Sequence, residues 1–487
     1  MKEKSIRRNF IMNALLAVSS LIFPLISFRY ASRILMPDGI GKVSFVTSVT
    51  AYFSMFAQLG IPTYGIRACA KVRDDRKALS ITVHELLGIN LVMDFISYAL
   101  LSIAVLCIPK LWEARLLFVI ISSTILLNSI GMEWLYKGLE EYTYITVRSM
   151  AFKVIALIAL FFLVRQKSDY VIYGCITIFA ASASNLLNFF HARRYVDIRG
   201  VHDCQWKRHL KPVLIFFGMA CATTIYTNLD SVMLGFMTTD TDVGYYNAAI
   251  KVKTVLVGLI TALGAVLLPR SAYYVERGQL KDFRRISHKA FSFILVCAPP
   301  IAVYFFFYAQ ESIQLLSGDV FLPSVVPMQV LVPTIFLIGI TNILGIQTLV
   351  PLGKEKTVLQ SEIAGAIVDL ILNFILIPHF QATGAAIGTL TAEAVVLAIQ
   401  YNELKTELKA FVSAYRWKRL VAGLIIGLAA AIWVKALQLR PVFSLLISGT
   451  LFFGAYISFL FWQKEEIITG VVEQVWRKNS RHKDINS

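Results

Sequence analysis

Eight ionisable side chains interrupt long apolar stretches of this sequence. Three are lysines and five are carboxylic acids: Lys153, Lys251, Lys253, Asp94, Asp230, Glu362, Asp369 and Glu393. A charge at the centre of a bilayer costs roughly 2.5 to 3.5 kcal/mol even on the lenient insertion scale, so such residues normally face a partner or a wet cavity. Lysines there can bind an anionic group, and carboxyl groups there can take up and release a proton.

Helical spacing predicts which of these side chains share a face. One face of the helix around residue 369 carries three polar side chains, seven and then four positions apart: Glu362, Asp369 and Asn373. We expect that face to point inward. A similar stripe lies around residue 251: Asn247, Lys251 and Thr254. Lys253 projects about 160° away from it, so we expect Lys251 to face the cavity.

A second interpretation of the same charges is structural. Buried ion pairs between helices, for example Asp230 with a lysine near residue 251, would serve insertion and packing alone. The functional interpretation is a cationic cavity for an anionic group, with carboxyl groups close by. The residue pattern leaves both open, and we favour the functional one for the set as a whole.

The elements that position these groups are apolar helices. The chain has 487 residues, of which 57% are hydrophobic and 16% are charged, and its mean hydropathy is +0.66. Its apolar stretches have the length that a hydrocarbon core about 30 Å thick requires, which predicts an all-α integral membrane protein with about 14 transmembrane helices. The predicted spans are residues 10–30, 40–62, 84–107, 115–136, 144–164, 170–190, 212–236, 243–268, 290–310, 326–352, 357–378, 382–402, 419–436 and 441–462.

The basic residues indicate the orientation of these spans. The formal net charge is +17, but the lysines and arginines lie in the loops between spans rather than on one polar domain, so we expect no nucleic-acid partner. With the N-terminus inside, 35 of the 47 basic residues fall on the cytoplasmic side, as the positive-inside rule requires. Both termini are then predicted to be cytoplasmic.

A loose internal repeat relates the two halves of the chain. An offset of 203 positions places the segment around Gly41 on that around Gly244 and also carries Arg67 onto Arg270. Six helices separate the copies, which predicts parallel repeats with a substrate path between them; a chance match is the alternative. The predicted plan is an N-terminal lobe (1–211), a C-terminal lobe (212–411), two further spans (412–462) and a cytoplasmic amphipathic tail (463–487).

Motifs of soluble enzyme chemistry are missing from the sequence. It has no Gly-x-x-x-x-Gly-Lys-Ser/Thr loop, no His-Glu-x-x-His and no Cys-x-x-Cys, so neither nucleotide hydrolysis nor a metal site is expected. The six cysteines are scattered and interpreted as packing residues. We therefore predict a transporter without a cofactor rather than an enzyme.

Several separated motifs carry a family resemblance. The runs Asp38-Gly-Ile-Gly-Lys-Val-Ser-Phe45 and Gln58-Leu-Gly-Ile-Pro-Thr-Tyr-Gly-Ile-Arg67 resemble the first two helices of bacterial polysaccharide flippases. Asp169-Tyr-Val-Ile-Tyr173, Asn228-Leu-Asp-Ser-Val-Met-Leu-Gly235 and Val243-Gly-Tyr-Tyr-Asn-Ala-Ala249 are similar to later segments of that family. The resemblance implies the multidrug/oligosaccharidyl-lipid/polysaccharide exporter superfamily, with two six-helix lobes around a central cavity and two C-terminal helices.

The resemblance also implies a substrate and a location. The substrate would be an oligosaccharide linked to undecaprenyl diphosphate, flipped across the bacterial cytoplasmic membrane for O-antigen, capsule or exopolysaccharide assembly. Membrane lipids, a polysaccharide polymerase and other assembly proteins are the implied partners. The family's helix-seven aspartate corresponds to Asp230 and its helix-two arginine to Arg67.

The residues then suggest a division of roles. Arg67, Lys153 and Lys251 are the candidates for binding the diphosphate, because a diphosphate carries about two negative charges that hydrocarbon does not accept unpaired. The ion-coupling candidates are Asp230, Asp369, Glu362 and Asp94.

Two other functions remain as alternatives. One is an ion-coupled antiporter of drugs or small molecules from the same superfamily. The other is a membrane-embedded polysaccharide polymerase or ligase. Enzymes of that second kind usually carry a long outer loop with catalytic groups, and no predicted loop here is long enough to fold as a domain.

Overall fold

The computed structural model describes residues 6–197, 205–414, 417–465 and 467–469. Helices dominate this part of the chain, and it contains no strand. Most of the predicted amphipathic tail lies outside the described residues. The α-helices are α1 (Ile6–Gln58), α2 (Ile61–Lys71), α3 (Arg76–Cys107), α4 (Pro109–Glu113), α5 (Arg115–Gly131), α6 (Glu133–Gly138), α7 (Tyr142–Leu163), α8 (Tyr170–Ile178), α9 (Asn185–His191), α10 (Lys207–Met237), α11 (Asp240–Glu276), α12 (Leu280–Phe307), α13 (Ala309–Ser317), α14 (Val325–Leu331), α15 (Thr334–Thr341), α16 (Glu355–Ala414), α17 (Trp417–Ile432) and α18 (Pro441–Trp462).

The prediction of an all-α membrane protein is confirmed. In the described ranges, 11 helices are long and apolar enough to cross a membrane. The number is 12 if the pair Asp319–Leu331 and Thr334–Leu349, bent by 42°, is one span. The count is lower than the predicted 14 because α1, with 53 residues, and α16, with 60, each count as one helix. Such helices would be about 80 to 90 Å long if straight, far more than one crossing needs.

Both long helices are interrupted by a residue with left-handed φ. Met36 in α1 has φ 60° and ψ 176°, and Gln381 in α16 has φ 45° and ψ −126°. Met36 precedes Pro37, whose ring disfavours helical geometry in the residue before it. Pro378 lies three residues before Gln381 and cannot donate a backbone hydrogen bond. Each long helix is therefore two helical segments joined at a sharp change of direction.

The chain divides into two compact units, Met1–Asn247 and Ala248–Ser487. In the first, Trp134 and Tyr136 are buried in an apolar core between α2, α3 and α6. The ring of Trp134 lies against Gly65, where an added Cβ would come within 2.8 Å of it. Glycine at position 65 therefore allows α2 and α6 to approach closely.

In the second unit, tyrosine hydroxyl groups attach the C-terminal helices to α12 and the residues that follow it. Tyr304 donates to the carbonyl oxygen of Leu445 in α18 at 2.8 Å, and Tyr308 donates to that of Ala431 in α17 at 2.7 Å. Both rings are buried beside Phe452. Each hydroxyl thus has a partner inside an apolar contact, as buried tyrosines require.

Helices α1 and α11 cross within backbone contact at the two glycines of the internal repeat. A Cβ added at Gly41 would lie 1.6 Å from the carbonyl oxygen of Asp240, and one added at Gly244 would lie 2.1 Å from that of Pro37. Pro37 and Asp240 are themselves 203 positions apart, so the two contacts are equivalent under the repeat. The repeat itself stays a prediction.

Candidate functional site

Lys153 is held at membrane depth by hydroxyl groups. It lies in α7, where its ammonium donates to Ser19 Oγ at 3.1 Å and Ser20 Oγ at 2.9 Å, both in the first segment of α1. In the part of the chain that the structure describes, Lys153 forms no ion pair, although Glu133 exerts an attractive electrostatic effect on it. Its charge is thus positioned without being neutralised by a bonded carboxylate.

Arg148 is another cation in α7, and unlike the half-buried Lys153 it is buried; the sequence interpretation missed it. Only 8% of the residue is exposed. Its guanidinium donates to the carbonyl oxygen of Ser184 at 2.9 Å and to Asn185 Oδ1 at 3.4 Å, and its Nε has no hydrogen-bond partner among the described residues. Arg148 lies near the start of the predicted span 144–164 and was not among the ionisable side chains singled out there.

Two of the acidic candidates lie in the first unit, each in a different helix pair. Asp94 in α3 is buried and accepts a hydrogen bond from Ser129 Oγ at 2.8 Å, while its Oδ2 has no partner in the described ranges. Asp230 in α10 is buried and accepts a short hydrogen bond from the Tyr246 hydroxyl in α11. Each carboxylate thus has a hydroxyl partner on a neighbouring helix, and the choice between a structural and a functional role for Asp230 stays a prediction.

The other two acidic candidates lie in the second unit, along a polar seam between the two segments of α16. Asp369 and Asn373 are buried and both approach Gly388, where an added Cβ would lie 2.8 Å and 2.4 Å from their Oδ1 atoms. Glu362 is half-buried and interacts electrostatically with the buried Glu393. The spacing argument correctly placed Asp369 and Asn373 on one inward face.

The remaining cationic candidates lie in other surroundings. Arg67 is exposed on α2, close enough to Tyr64 for an electrostatic interaction. Lys251 and Lys253 both lie in α11, and both are half-buried. Their exposed fractions fall in the same intermediate range, and the choice of Lys251 stays a prediction.

A network of charges beside Arg67 joins α2 and α3 to the start of α10. Glu85, whose side chain is fully buried, accepts from Arg208 Nε at 3.0 Å and contacts His209 Nε2 at 2.8 Å. The other ring nitrogen of His209 contacts the Tyr64 hydroxyl at 2.8 Å. The backbone N–H of Gln205 also donates to Glu85. One carboxylate thus holds the beginning of α10.

A cavity of about 480 Å³ lies in the first unit, between the second segment of α1, the start of α2, and α5, α8 and α10. Ten of its 18 lining residues are threonine, serine, asparagine or glutamine, and none is charged. One wall adjoins a π-helical turn, Phe179–Ala183, and such wide turns are frequent at functional sites. Sequence reasoning missed this cavity because it searched for charges, whereas hydroxyl and amide side chains are common in membrane helices.

The cavity wall is connected to Arg148 by hydrogen bonds. Asn128 Oδ1, in the wall, accepts from Ser182 Oγ at 3.0 Å and from Asn185 Nδ2 at 3.1 Å. Asn185 in turn accepts from Arg148. The buried guanidinium therefore helps to fix the orientation of an amide that faces the cavity.

Comparison with solved structures gives the fold. A lipid II flippase, MurJ in an inward closed conformation, matches with a TM-score of 0.73 and 14% identity over 93% of this chain and 99% of the other. An inward-facing multidrug transporter of the MATE family and MOP superfamily matches with a TM-score of 0.61 and 13% identity over 83% and 99%. The chain therefore has the fold of multi-pass membrane proteins of this kind.

The family follows from sequence. The chain belongs to the polysaccharide biosynthesis protein family, whose profile matches residues 6–275. Relatives from Escherichia coli K12 and Shigella dysenteriae are both named "Putative O-antigen transporter". They are 25% and 26% identical, over 81% and 82% of this chain and 95% and 100% of their own lengths. The predicted family resemblance is confirmed.

Proposed function

We propose that this protein is a flippase that moves an undecaprenyl-diphosphate-linked oligosaccharide across the cytoplasmic membrane by alternating access. The observation that carries the proposal is Lys153, whose ammonium is bonded to two serine hydroxyls and to no carboxylate within the described residues. A cation at membrane depth without a bonded counter-ion is suited to an anionic ligand. The named function of the sequence relatives supports an oligosaccharide carrier as that ligand.

The diphosphate is proposed to meet Arg67, Lys153 and Lys251 in turn. Arg67 is exposed at an end of the first unit that the positive-inside rule assigns to the cytoplasm, which suits a first contact. Lys153 lies deeper in the apolar region, where charge-assisted hydrogen bonds to phosphate oxygens are strong. The lipid tail would remain in the bilayer throughout.

The proposed protein has 14 spans, cytoplasmic termini and two lobes. The interruptions at Met36 and Gln381 support counting α1 and α16 as two spans each, which gives 14 with the bent pair. Both termini are then cytoplasmic, and lobes 1–211 and 212–411 move around the substrate path. A polymerase would receive the flipped unit for O-antigen, capsule or exopolysaccharide assembly.

Replacing Lys153 by methionine is expected to slow flipping at least tenfold, because the diphosphate loses a charged contact worth about 1.4 kcal/mol or more. Lys153→Arg should keep most of the rate. The measurement is the initial rate at which a fluorescent lipid-diphosphate oligosaccharide crosses proteoliposome membranes. Lys405→Met, at an exposed lysine bonded to Asn402, is the matched control and should change nothing. A wild-type rate for folded Lys153→Met would remove this lysine from the site.

Replacing Asp230 and Asp369 together by asparagine is expected to abolish stimulation of flipping by an imposed proton gradient. Asparagine keeps a carbonyl oxygen for the Tyr246 hydroxyl but cannot take up a proton. Exchange measured without a gradient should continue. If gradient-dependent flipping survives in the double variant, ion coupling through these two groups is wrong.

The function itself is tested by disrupting the gene in its own organism. Lipid-linked repeat units should then accumulate on the cytoplasmic leaflet, and the wild-type gene should clear them. Export of a drug or other small molecule in vesicles, with no effect on lipid-linked sugars, would favour the antiporter instead. Accumulation of single repeat units on the outer leaflet would favour a polymerase.

A further inference from the structure

The cavity in the first unit has the size of a small-molecule site but lacks the charge that a diphosphate needs. Its volume of about 480 Å³ falls within the roughly 300 to 1,000 Å³ typical of ligand pockets. None of its 18 lining residues is charged, and ten carry a hydroxyl or an amide. Because the exposed wall between these polar groups is largely apolar, a ligand that matches this lining is neutral and combines hydroxyl groups with an apolar face.

The amide side chains of the wall present complementary groups to such a ligand. The Oδ1 atom of Asn128 is used by Ser182 and Asn185, which leaves its NH₂ group as a donor toward the cavity. Asn228 has the opposite arrangement, because its Nδ2 donates to the Thr224 carbonyl oxygen at 3.0 Å and to Thr227 Oγ1 at 3.1 Å. Its Oδ1 is then available as an acceptor. A sugar hydroxyl can accept from the first and donate to the second.

The threonine hydroxyls add acceptors, and one of them has no bond at all. Thr124 and Thr177 donate to carbonyl oxygens of their own helices, at 2.6 Å and 2.8 Å, so their lone pairs remain for a ligand. Thr50 is 2% exposed, and its Oγ1 has no hydrogen-bond partner among the described residues. Because that oxygen is closed off from the cavity in this conformation, the acceptors that a ligand meets are those of Thr124 and Thr177.

We infer that this cavity is a binding site for an uncharged sugar residue. The inference rests on the proposed function and adds specificity to it, since the diphosphate is assigned to the lysines and arginine and the sugar to hydroxyls and amides. A sugar that carries a carboxylate enters poorly, because the lining offers no cation and ionised groups require one when desolvated. The site therefore selects lipid-linked glycans by the neutrality of the residue it holds.

The test uses a thiol placed in the cavity. Thr124→Cys is made in the full chain after its six native cysteines are changed to alanine, and Val119→Cys, at an exposed apolar position of the same helix, is the matched control. Both are labelled with a water-soluble maleimide in the presence of free glucose, N-acetylglucosamine or glucuronic acid. Glucose and glucuronic acid differ by one carboxylate. The neutral sugars should slow labelling of Thr124→Cys at least threefold, glucuronic acid should not, and no sugar should affect Val119→Cys.

A flipping assay on the protein with its native cysteines is the second test. Asn128→Asp places a carboxylate in the wall without changing its shape, and it should slow flipping of a neutral-sugar substrate at least tenfold. Asn402→Asp, at an exposed asparagine outside the cavity, should not. The inference is wrong if glucose and glucuronic acid protect Thr124→Cys from labelling equally. It is also wrong if no sugar protects Thr124→Cys and Asn128→Asp flips at the normal rate. Either result would leave the proposed flippase function standing. Protection by neutral sugars in a protein that flips no lipid-linked glycan would instead keep the site and refute the proposed function.

Discussion

Replacing Gly41 by valine is expected to abolish the folded protein. An added Cβ would lie 1.6 Å from the carbonyl oxygen of Asp240, and a backbone atom cannot rotate away as a side chain can. Helices α1 and α11 would have to separate, with a loss of stability on the order of 3 kcal/mol or more. The salt bridge from Lys110 to Asp240, 3.0 Å long, would be disrupted with them. The measurement is the monodisperse fraction after detergent extraction, which should fall at least tenfold.

Other glycines in transmembrane helices provide the controls for this experiment. Gly88 in α3 and Gly218 in α10 have no atom within 4 Å of an added Cβ, so Gly88→Ala and Gly218→Ala should be neutral or slightly stabilising. Gly244→Val should be as harmful as Gly41→Val. Because the two glycines share one helix crossing, the double variant should lose less stability than the two single variants lose in sum. Normal yield for Gly41→Val would show that the crossing is not required.

Replacing Glu85 by alanine is expected to have the second largest effect. The change removes the shared acceptor of Arg208, His209 and the Gln205 N–H, and it leaves His209 buried without that partner. Breaking such a network costs on the order of 3 kcal/mol of stability. The cost lies at the low end of that for a fully buried ion pair because Arg208 is half exposed. Thermal unfolding of the purified protein should show a clearly lower transition temperature. The transition temperature of Glu85→Gln, which keeps an acceptor, should lie between those of the wild type and of Glu85→Ala.

An exposed ion pair in the same part of the chain is the matched control. Arg76 Nη2 lies 2.7 Å from Asp197 Oδ1, with both side chains 56% exposed. Because water screens such pairs, Arg76→Ala should cost less than about 1 kcal/mol. If Arg76→Ala and Glu85→Ala lower the transition temperature equally, burial of the network around Glu85 does not determine how much it contributes to stability.

The helical architecture was predictable because its causes are local. Apolar runs long enough for a bilayer must be helical, since every backbone amide needs a partner there. The residues that stop a helix were harder to place. Residues 31–39, predicted as a loop, are helical on both sides of Met36, because Pro37 changes the backbone direction in a single step. A short loop and a one-residue break have nearly the same composition.

The candidate site was only partly predictable because its contacts join distant parts of the sequence. Spacing along one helix placed Asp369 and Asn373 on a common face, but their approach to Gly388 depends on how α16 folds back at Gln381. The cavity depends on five helices that meet in space, and no single one carries a distinctive motif. Arg148 was passed over because a helix end and a buried position cannot be separated by hydropathy alone.

The fold-back of α16 also bears on the biogenesis of the protein. Inserted singly, its first segment would bring Glu362 and Asp369 into lipid and its second would bring Glu393, each at a cost of roughly 2.5 to 3.5 kcal/mol. Ser361 and Gln400 are hydrogen-bonded at 3.1 Å across the seam, so the paired segments turn these groups toward each other. The two segments are therefore expected to leave the ribosome and enter the bilayer together, as one hairpin rather than in succession.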